Sequence, residues 1–291
     1  MWLVLYRGAE ITLSTLRNVQ KLSYLRLLLY GKPGSTKTRT SYSAALCDEL
    51  YPTLVLESGG NPESTYDYER LPWIITLDKL EDMNAPYDWI NTGCSPDHKF
   101  AKAFGFTEAP KCVIIDGITD VQRLSFGKLT GNMNIGPGDF GSSVTQRHFG
   151  TVLEQMTRMS KLFFKLPIHV IVTALEKNAS DTSGNLVRVA PLIWGQSETE
   201  VSGYALAVGH LTHGSAVSGR VKSYLKSTKQ VLGEDDSVVK WSPDGVMQAK
   251  DQYGRLGKFM VSPTMRKIYD HIYSGDGAYI DPFAVSVEAT P

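Results

Sequence analysis

LRLLLYGKPGSTKT, residues 25–38, is the stretch that decides the fold. Leu25 to Tyr30 is a near-continuous apolar run that stops at Gly31, the pattern of a strand buried on both faces of a parallel sheet. A loop follows, and then a helical pattern from Thr38 to Leu50 with Ala44, Ala45 and Leu46 among its apolar positions. Pro52 marks its exit, and TLVL, 53–56, makes a second strand. Strand, glycine loop, helix, strand is the context in which backbone amides wrap phosphate oxygens.

The loop fits the pattern GxxxxGK[ST], with Thr36 standing where the last glycine is expected. Gly31, Lys32, Pro33, Gly34, Ser35, Thr36, Lys37 and Thr38 are therefore the expected phosphate-binding residues. Their N–H groups converge at a helix N-terminus, where the macrodipole favours anions. Lys37 is expected to reach the β- and γ-phosphates, and the Thr38 hydroxyl to coordinate Mg2+. The composition supplies no base-reading motif, so ATP and GTP stay open.

Working outward, Trp73 to Leu77 reads as a third strand and Cys112 to Ile115 as a fourth, ending at Asp116. A carboxylate there suits a Walker B role, holding the same Mg2+ as Thr38. Glu57 follows the second strand directly. Strand ends at this edge of an open parallel sheet face the ligand crevice, so Glu57 is the expected catalytic group beside Lys37, positioning or deprotonating the attacking water. Asp120 and Glu63 are weaker competitors.

Phe126 to Gly150 carries many Gly, Ser and Asn residues and reads as a long loop. From Val144 to Leu166 apolar residues recur at helical spacing, and a helix ends near Pro167. IHVIVTA, 168–174, is a fifth buried strand. Beyond it SDTSGN separates two alternating stretches, and LVRVAPLIW looks like part of a hairpin. Weaker strands fall near Val239 and Phe259, with a short helix from Pro263 to Tyr273. The expected organisation is an appendage over 1–24, a nucleotide-binding core over 25–213 and a hairpin and helix extension over 214–291. The fold class is three-layer α/β, with a mostly parallel central sheet and a small C-terminal β-rich appendage.

Composition narrows the rest. The 30 basic and 30 acidic residues cancel, so any nucleic-acid site is a local patch rather than a global basic field. Three cysteines, Cys47, Cys94 and Cys112, show no metal-ligand spacing and fit a reduced, cytoplasmic protein. The apolar opening of the chain is too short for a membrane span. His169 sits inside an apolar strand and reads as a core residue. His210 and His213 are three apart, with no carboxylate or cysteine completing a metal set, so no structural metal is expected. Arg220, Lys222, Lys226 and Lys229 read as a solvated face.

The order of these pieces resembles the RecA-like ATPases, in which the catalytic glutamate follows the strand after the P-loop helix. More narrowly, the chain looks like the compact bacteriophage RecA-like nucleotide-binding proteins associated with single-strand annealing and recombination. YGKPGSTKT, LVLESGG, VIIDGIT, RHFGTVLEQM, HVIVTALEK and KDQYGRLGKFMVSPT carry the resemblance, which spans Leu25 to Tyr273. It implies ATP and Mg2+ as ligands, a ring or filament of identical subunits, single-stranded DNA as partner, and the host cytoplasm as location if the chain is phage-encoded. Such proteins commonly carry His or Gln near the end of the fifth strand to sense the γ-phosphate. Here Thr173 is the candidate sensor. By the same resemblance the DNA path takes in Lys128, Arg147, Arg188 and Trp194, and a neighbour's γ-phosphate is touched in trans by Lys250, Arg255 or Lys258. The alternatives are a DNA-annealing scaffold with little turnover, and a packaging or regulatory P-loop ATPase.

Overall fold

The computed structural model describes residues 24–59, 67–130, 145–217, 219–227, 232–233, 236–243 and 246–273. Among the described residues ten strands share one sheet: β1 Arg26–Gly31, β2 Thr53–Glu57, β3 Trp73–Thr76, β4 Cys112–Asp116, β5 His169–Ser180, β6 Leu186–Pro191, β7 Ala207–His213, β8 Ser237–Lys240, β9 Lys250–Asp251 and β10 Phe259–Val261. The helices are α1 Lys37–Tyr42, α2 Asn84–Asn91, α3 Lys99–Phe104, α4 Ile118–Thr130, α5 Gln146–Phe163, α6 Ser197–Tyr204, α7 Gly219–Ser227 and α8 Met265–Tyr273.

The strand order is β10-β8-β7-β1-β5-β4-β2-β3, with β6 on β5 and β9 on β7. From β7 through β3 every neighbouring pair is parallel, whereas β8, β9, β10 and β6 join antiparallel. The C-terminal strands thus extend the core sheet instead of forming a second one. β1, β2 and β4 are buried along their whole length, which is why they read as unbroken apolar runs.

Alternate residues of those strands feed two separate cores. Leu28, Tyr30, Val113, Ile115 and Val172 face α4 and α5 through Val121, Phe126, Val152 and Met156. Leu27, Leu29, Ile114 and Ile171 face the other way, towards Tyr42 and Ala44 and towards Met265, Ile268 and Ile272 of α8. The result is three layers, as the alternating pattern of strands and helices predicts.

Three local expectations are corrected. The helix after the glycine loop is α-helical only to Tyr42 and continues as a 3-10 turn over Ser43–Leu46. Ser41 and Ser43 donate their hydroxyls to the carbonyls of Thr38 (3.1 Å) and Thr40 (2.6 Å), competing with the regular ladder. The Gly-rich stretch expected as a loop from Phe126 is helical as far as Thr130, because α4 buries Phe126 against α5. Residues 131–144 of that stretch, with Phe140, lie outside the described residues. Finally β7, which the sequence reading passes over, is a central strand beside β1.

Candidate active site around the phosphate loop

Gly31 is the last residue of β1, wedged between Leu175 of β5 and Leu211 of β7. A Cβ here would lie 2.3 Å from the Leu211 carbonyl oxygen and 2.6 Å from Ser35 Oγ, so only glycine lets the chain turn. Gly34 and Thr36 both have positive φ, +79° and +65°. Left-handed residues in a tight loop turn N–H groups inward and form an anion-binding concavity. α1 spans only six residues, which limits its dipole, so an anion at this loop would be held mainly by the cradle and Lys37.

Lys37 Nζ is folded back on the loop, donating to the carbonyls of Lys32 (2.7 Å) and Gly31 (3.0 Å). Burial lowers its pKa to about 8, against the opposing pull of Asp116 and Glu176. Thr38 Oγ1 donates to Asp116 Oδ2 at 3.1 Å, so the hydroxyl and carboxylate expected to share a cation are already adjacent. Asp116 is 3% exposed and makes no direct ion pair among the described residues; its other oxygen, Oδ1, accepts from Thr173 Oγ1 at 2.5 Å. A buried carboxylate bonded only to hydroxyls, with one of those hydroxyls on the phosphate loop, fits a hard cation with oxygen ligands. Thr38 and Asp116 are the side chains that would hold Mg2+.

Thr173 also accepts the Gly117 N–H at 2.9 Å. The candidate sensor therefore orients Asp116 and the turn after it. Glu57 is the last residue of β2 rather than the first beyond it, and its register partners are Asp116 on β4 and Thr76 on β3. Paired residues of neighbouring parallel strands point to the same face, one strand spacing of about 4.8 Å apart. The Glu57 side chain is buried, with no hydrogen bond or ion pair among the described residues. Asp120, its competitor, is tied to Arg123 at 2.5 Å, and burial raises its pKa against that pairing. Glu63 lies outside the described residues.

On the opposite flank of the loop the structure assembles a pair that sequence reasoning missed. His210 Nε2 lies 2.9 Å from Glu176 Oε2, and His213 Nε2 approaches the Cβ position of Gly34 at 4.0 Å. The missing carboxylate near His210 is thus supplied by β5. The signal was the neighbourhood of β1, but strand order is invisible along the chain. Among the described residues no three metal-ligating side chains cluster, and no helix is long and apolar enough to cross a membrane.

The expected DNA-path residues have the following surroundings. Lys128 is ion-paired with Glu81, and Arg188 with the buried Glu198, which Lys177 also reaches at 2.5 Å. The Trp194 ring packs on Phe126 at 4.9 Å, while Arg147 is exposed at the start of α5. Of the trans candidates, Lys250 donates to the carbonyls of Ser202, Gly203 and Ala205, and Arg255 to that of Ile272. Lys258 contributes its carbonyl to the sheet extension, accepting Trp241 N–H at 3.0 Å. Of the basic cluster, Lys222 and Lys226 are exposed on α7, Lys229 lies outside the described residues, and the side chain of Arg220 is likewise not described.

No family model and no curated protein matches the chain. Among solved structures, it is similar to a KaiC-like protein from the hyperthermophilic archaeon Pyrococcus horikoshii OT3. The identity is 13% and the TM-score 0.34, over 64% of this chain and 69% of the other. A likeness at that level carries no functional argument.

Proposed function

We propose that the chain is a Mg-dependent, RecA-like ATPase working on single-stranded DNA in recombination, repair or replication. The observation that carries the ATPase reading is the 3.1 Å contact between Thr38 on the phosphate loop and Asp116 two strands away, with Glu57 in register beside Asp116. One strand, β5, intervenes between the loop strand and the Asp116 strand, and it supplies Thr173 to fix the carboxylate.

In this reading the loop amides and Lys37 bind the β- and γ-phosphates, Lys37 leaving its own carbonyls to do so. Bound Mg2+ would neutralise phosphate charge and orient the chain of phosphates. Glu57 holds a water in line with the γ-phosphorus and accepts its proton as the new P–O bond forms and the bond to the β-phosphate oxygen breaks, giving ADP and inorganic phosphate. The feature that favours a nucleic-acid partner is Arg147, exposed at the start of α5, where a cation can neutralise a phosphate. A ring or filament of identical subunits completes the proposal.

The test is ATP hydrolysis measured with single-stranded, double-stranded and no DNA. Turnover stimulated by single strands and reduced at least 100-fold in Glu57→Gln, with ATP binding retained, is the expected result. Lys37→Ala with undiminished binding and turnover would sink the assignment. Binding without turnover in the unmodified protein would instead favour the scaffold alternative, for which Thr36 and Leu175 are the motive.

A further inference from the structure

Tyr42, the last residue of α1, is fully buried, and its hydroxyl has no hydrogen-bond partner among the described residues. It belongs to the second core, with Leu27, Leu29, Val55 and Ile114. A buried hydroxyl without an acceptor costs stability, and phenylalanine would fill the same space without that cost. The oxygen therefore asks for an acceptor.

The sheet supplies candidates. Val55, Ile114 and Ile171 lie in the core that Tyr42 joins, and two residues further along each strand come Glu57, Asp116 and Thr173. Side chains two apart on a strand point the same way, so these three stand in a row on the Tyr42 side of the sheet. Tyr42 also lies four residues after Thr38, on the same face of α1, and Thr38 donates to Asp116 Oδ2 at 3.1 Å. Burial first, and then the Asp116 charge with Glu57 adding to it, raise the phenol pKa above its usual 10. The group stays protonated, a donor facing two carboxylates.

Asp116 has both oxygens engaged by hydroxyls, Oδ2 by Thr38 and Oδ1 by Thr173 at 2.5 Å. Thr38 is also the hydroxyl that would hold the cation. When its oxygen turns to that duty, Oδ2 is left short of a donor, and Tyr42 is the hydroxyl one helical turn behind it. We propose that Tyr42 is a positioning residue of the phosphate-loop site, donating its phenol hydrogen to Asp116 Oδ2 when Thr38 takes up the cation. The proposal rests on the ATPase reading and deepens it. A third hydroxyl, from the helix rather than from a strand, keeps the carboxylate aimed, and Tyr42 acts through Asp116 rather than on the nucleotide. Partners that orient a metal-binding carboxylate govern metal affinity or activity by about 10–100-fold.

The experiment compares the unmodified chain with Tyr42→Phe, which keeps the ring and removes only the oxygen. Four quantities are measured on each: the melting temperature without ligand, ADP affinity in EDTA by calorimetry, Mn2+ affinity in the presence of ADP by electron paramagnetic resonance, and ATP turnover. The melting temperature is expected to stay or rise, and ADP affinity without metal to be unchanged. Mn2+ is expected to bind about tenfold more weakly, with kcat lowered by a similar factor. Thr173→Val, alone and combined with Tyr42→Phe, gives a second reading. Both hydroxyls act on one carboxylate, so their effects on Mn2+ affinity are expected not to multiply. Unchanged Mn2+ affinity in Tyr42→Phe overturns the proposal, whatever the melting temperature does, and so do effects that multiply. If the unmodified chain binds ADP but no Mn2+, the cation assignment of Thr38 and Asp116 falls and takes the proposal with it. If it binds neither, the nucleotide reading itself falls, and the proposal with it.

Discussion

Thr36 and Lys37 stand side by side in the loop and are stressed in different ways. Thr36 holds φ at +65° with a β-branched side chain and leaves its hydroxyl buried and unpaired. A left-handed L-residue costs about 1–2 kcal/mol, part of which glycine gives back through its freer unfolded chain. Thr36→Gly is therefore expected to stabilise the ligand-free protein by about 1 kcal/mol, a rise in Tm of about 2 °C, read by thermal denaturation. A lower Tm would show that the loop tolerates threonine without strain. Lys37 has a pKa lowered to about 8 by burial. Bound phosphate favours the ammonium form, so nucleotide binding takes up a proton, and affinity falls as pH rises above about 8. Titration at pH 7 and pH 9 in buffers of different ionisation enthalpy checks both the direction and the proton uptake. The departure at Thr36 is legible in the sequence as a broken pattern. Its consequence, a left-handed threonine, is not, because φ is set by the closure of the loop in the assembled fold.

Among the secondary-structure elements, β5 shows how a strand can be read correctly and still be misjudged. Its buried part, from Val170 to Ala174, is plain in the apolar run, while the half from Glu176 onward pairs only with β6 and carries the hairpin. At its start, His169 Nδ1 accepts the Leu25 N–H at 3.0 Å among Tyr24, Tyr269 and Tyr273. Burial, with Arg26 adding to it, depresses the His169 pKa to about 4. Its unfolded value is about 6.5. The folded state thus resists protonation: the contribution is complete above pH 6.5 and is lost as pH falls from there towards 4. With partial exposure discounted, the loss between pH 7 and pH 5.5 is about 1 kcal/mol. Urea unfolding at those two values is expected to show it, and His169→Gln to flatten the difference. The histidine reads as a core residue from sequence. That it closes one end of β1 by accepting a backbone proton follows from the pairing of β1 with β5, which the chain order does not state.

The assembled molecule depends on close approaches between segments far apart in sequence. A Cβ on Gly209 of β7 would meet the Trp241 ring at 2.5 Å and Val239 at 2.7 Å, so a bare backbone is what lets β8 and the buried Trp241 dock on the central sheet. Gly209→Val is expected to cost about 1–3 kcal/mol by overpacking and to lower Tm by several degrees. An unchanged Tm would mean that Trp241 is loosely seated. The glycine loop, the strand ends at Glu57 and Asp116, the two-sided burial of β1, β2 and β4, and the resulting three-layer α/β class are all local patterns. Composition, period and turn chemistry are properties of neighbouring residues, so the linear chain fixes them unaided. The order β7-β1-β5-β4, the Thr38–Asp116–Thr173 contacts and the His210–Glu176 pair are decided only when the strands assemble. Each is a contact between residues tens to hundreds of positions apart, chosen by burial and register across the sheet, and no short window of sequence contains both partners.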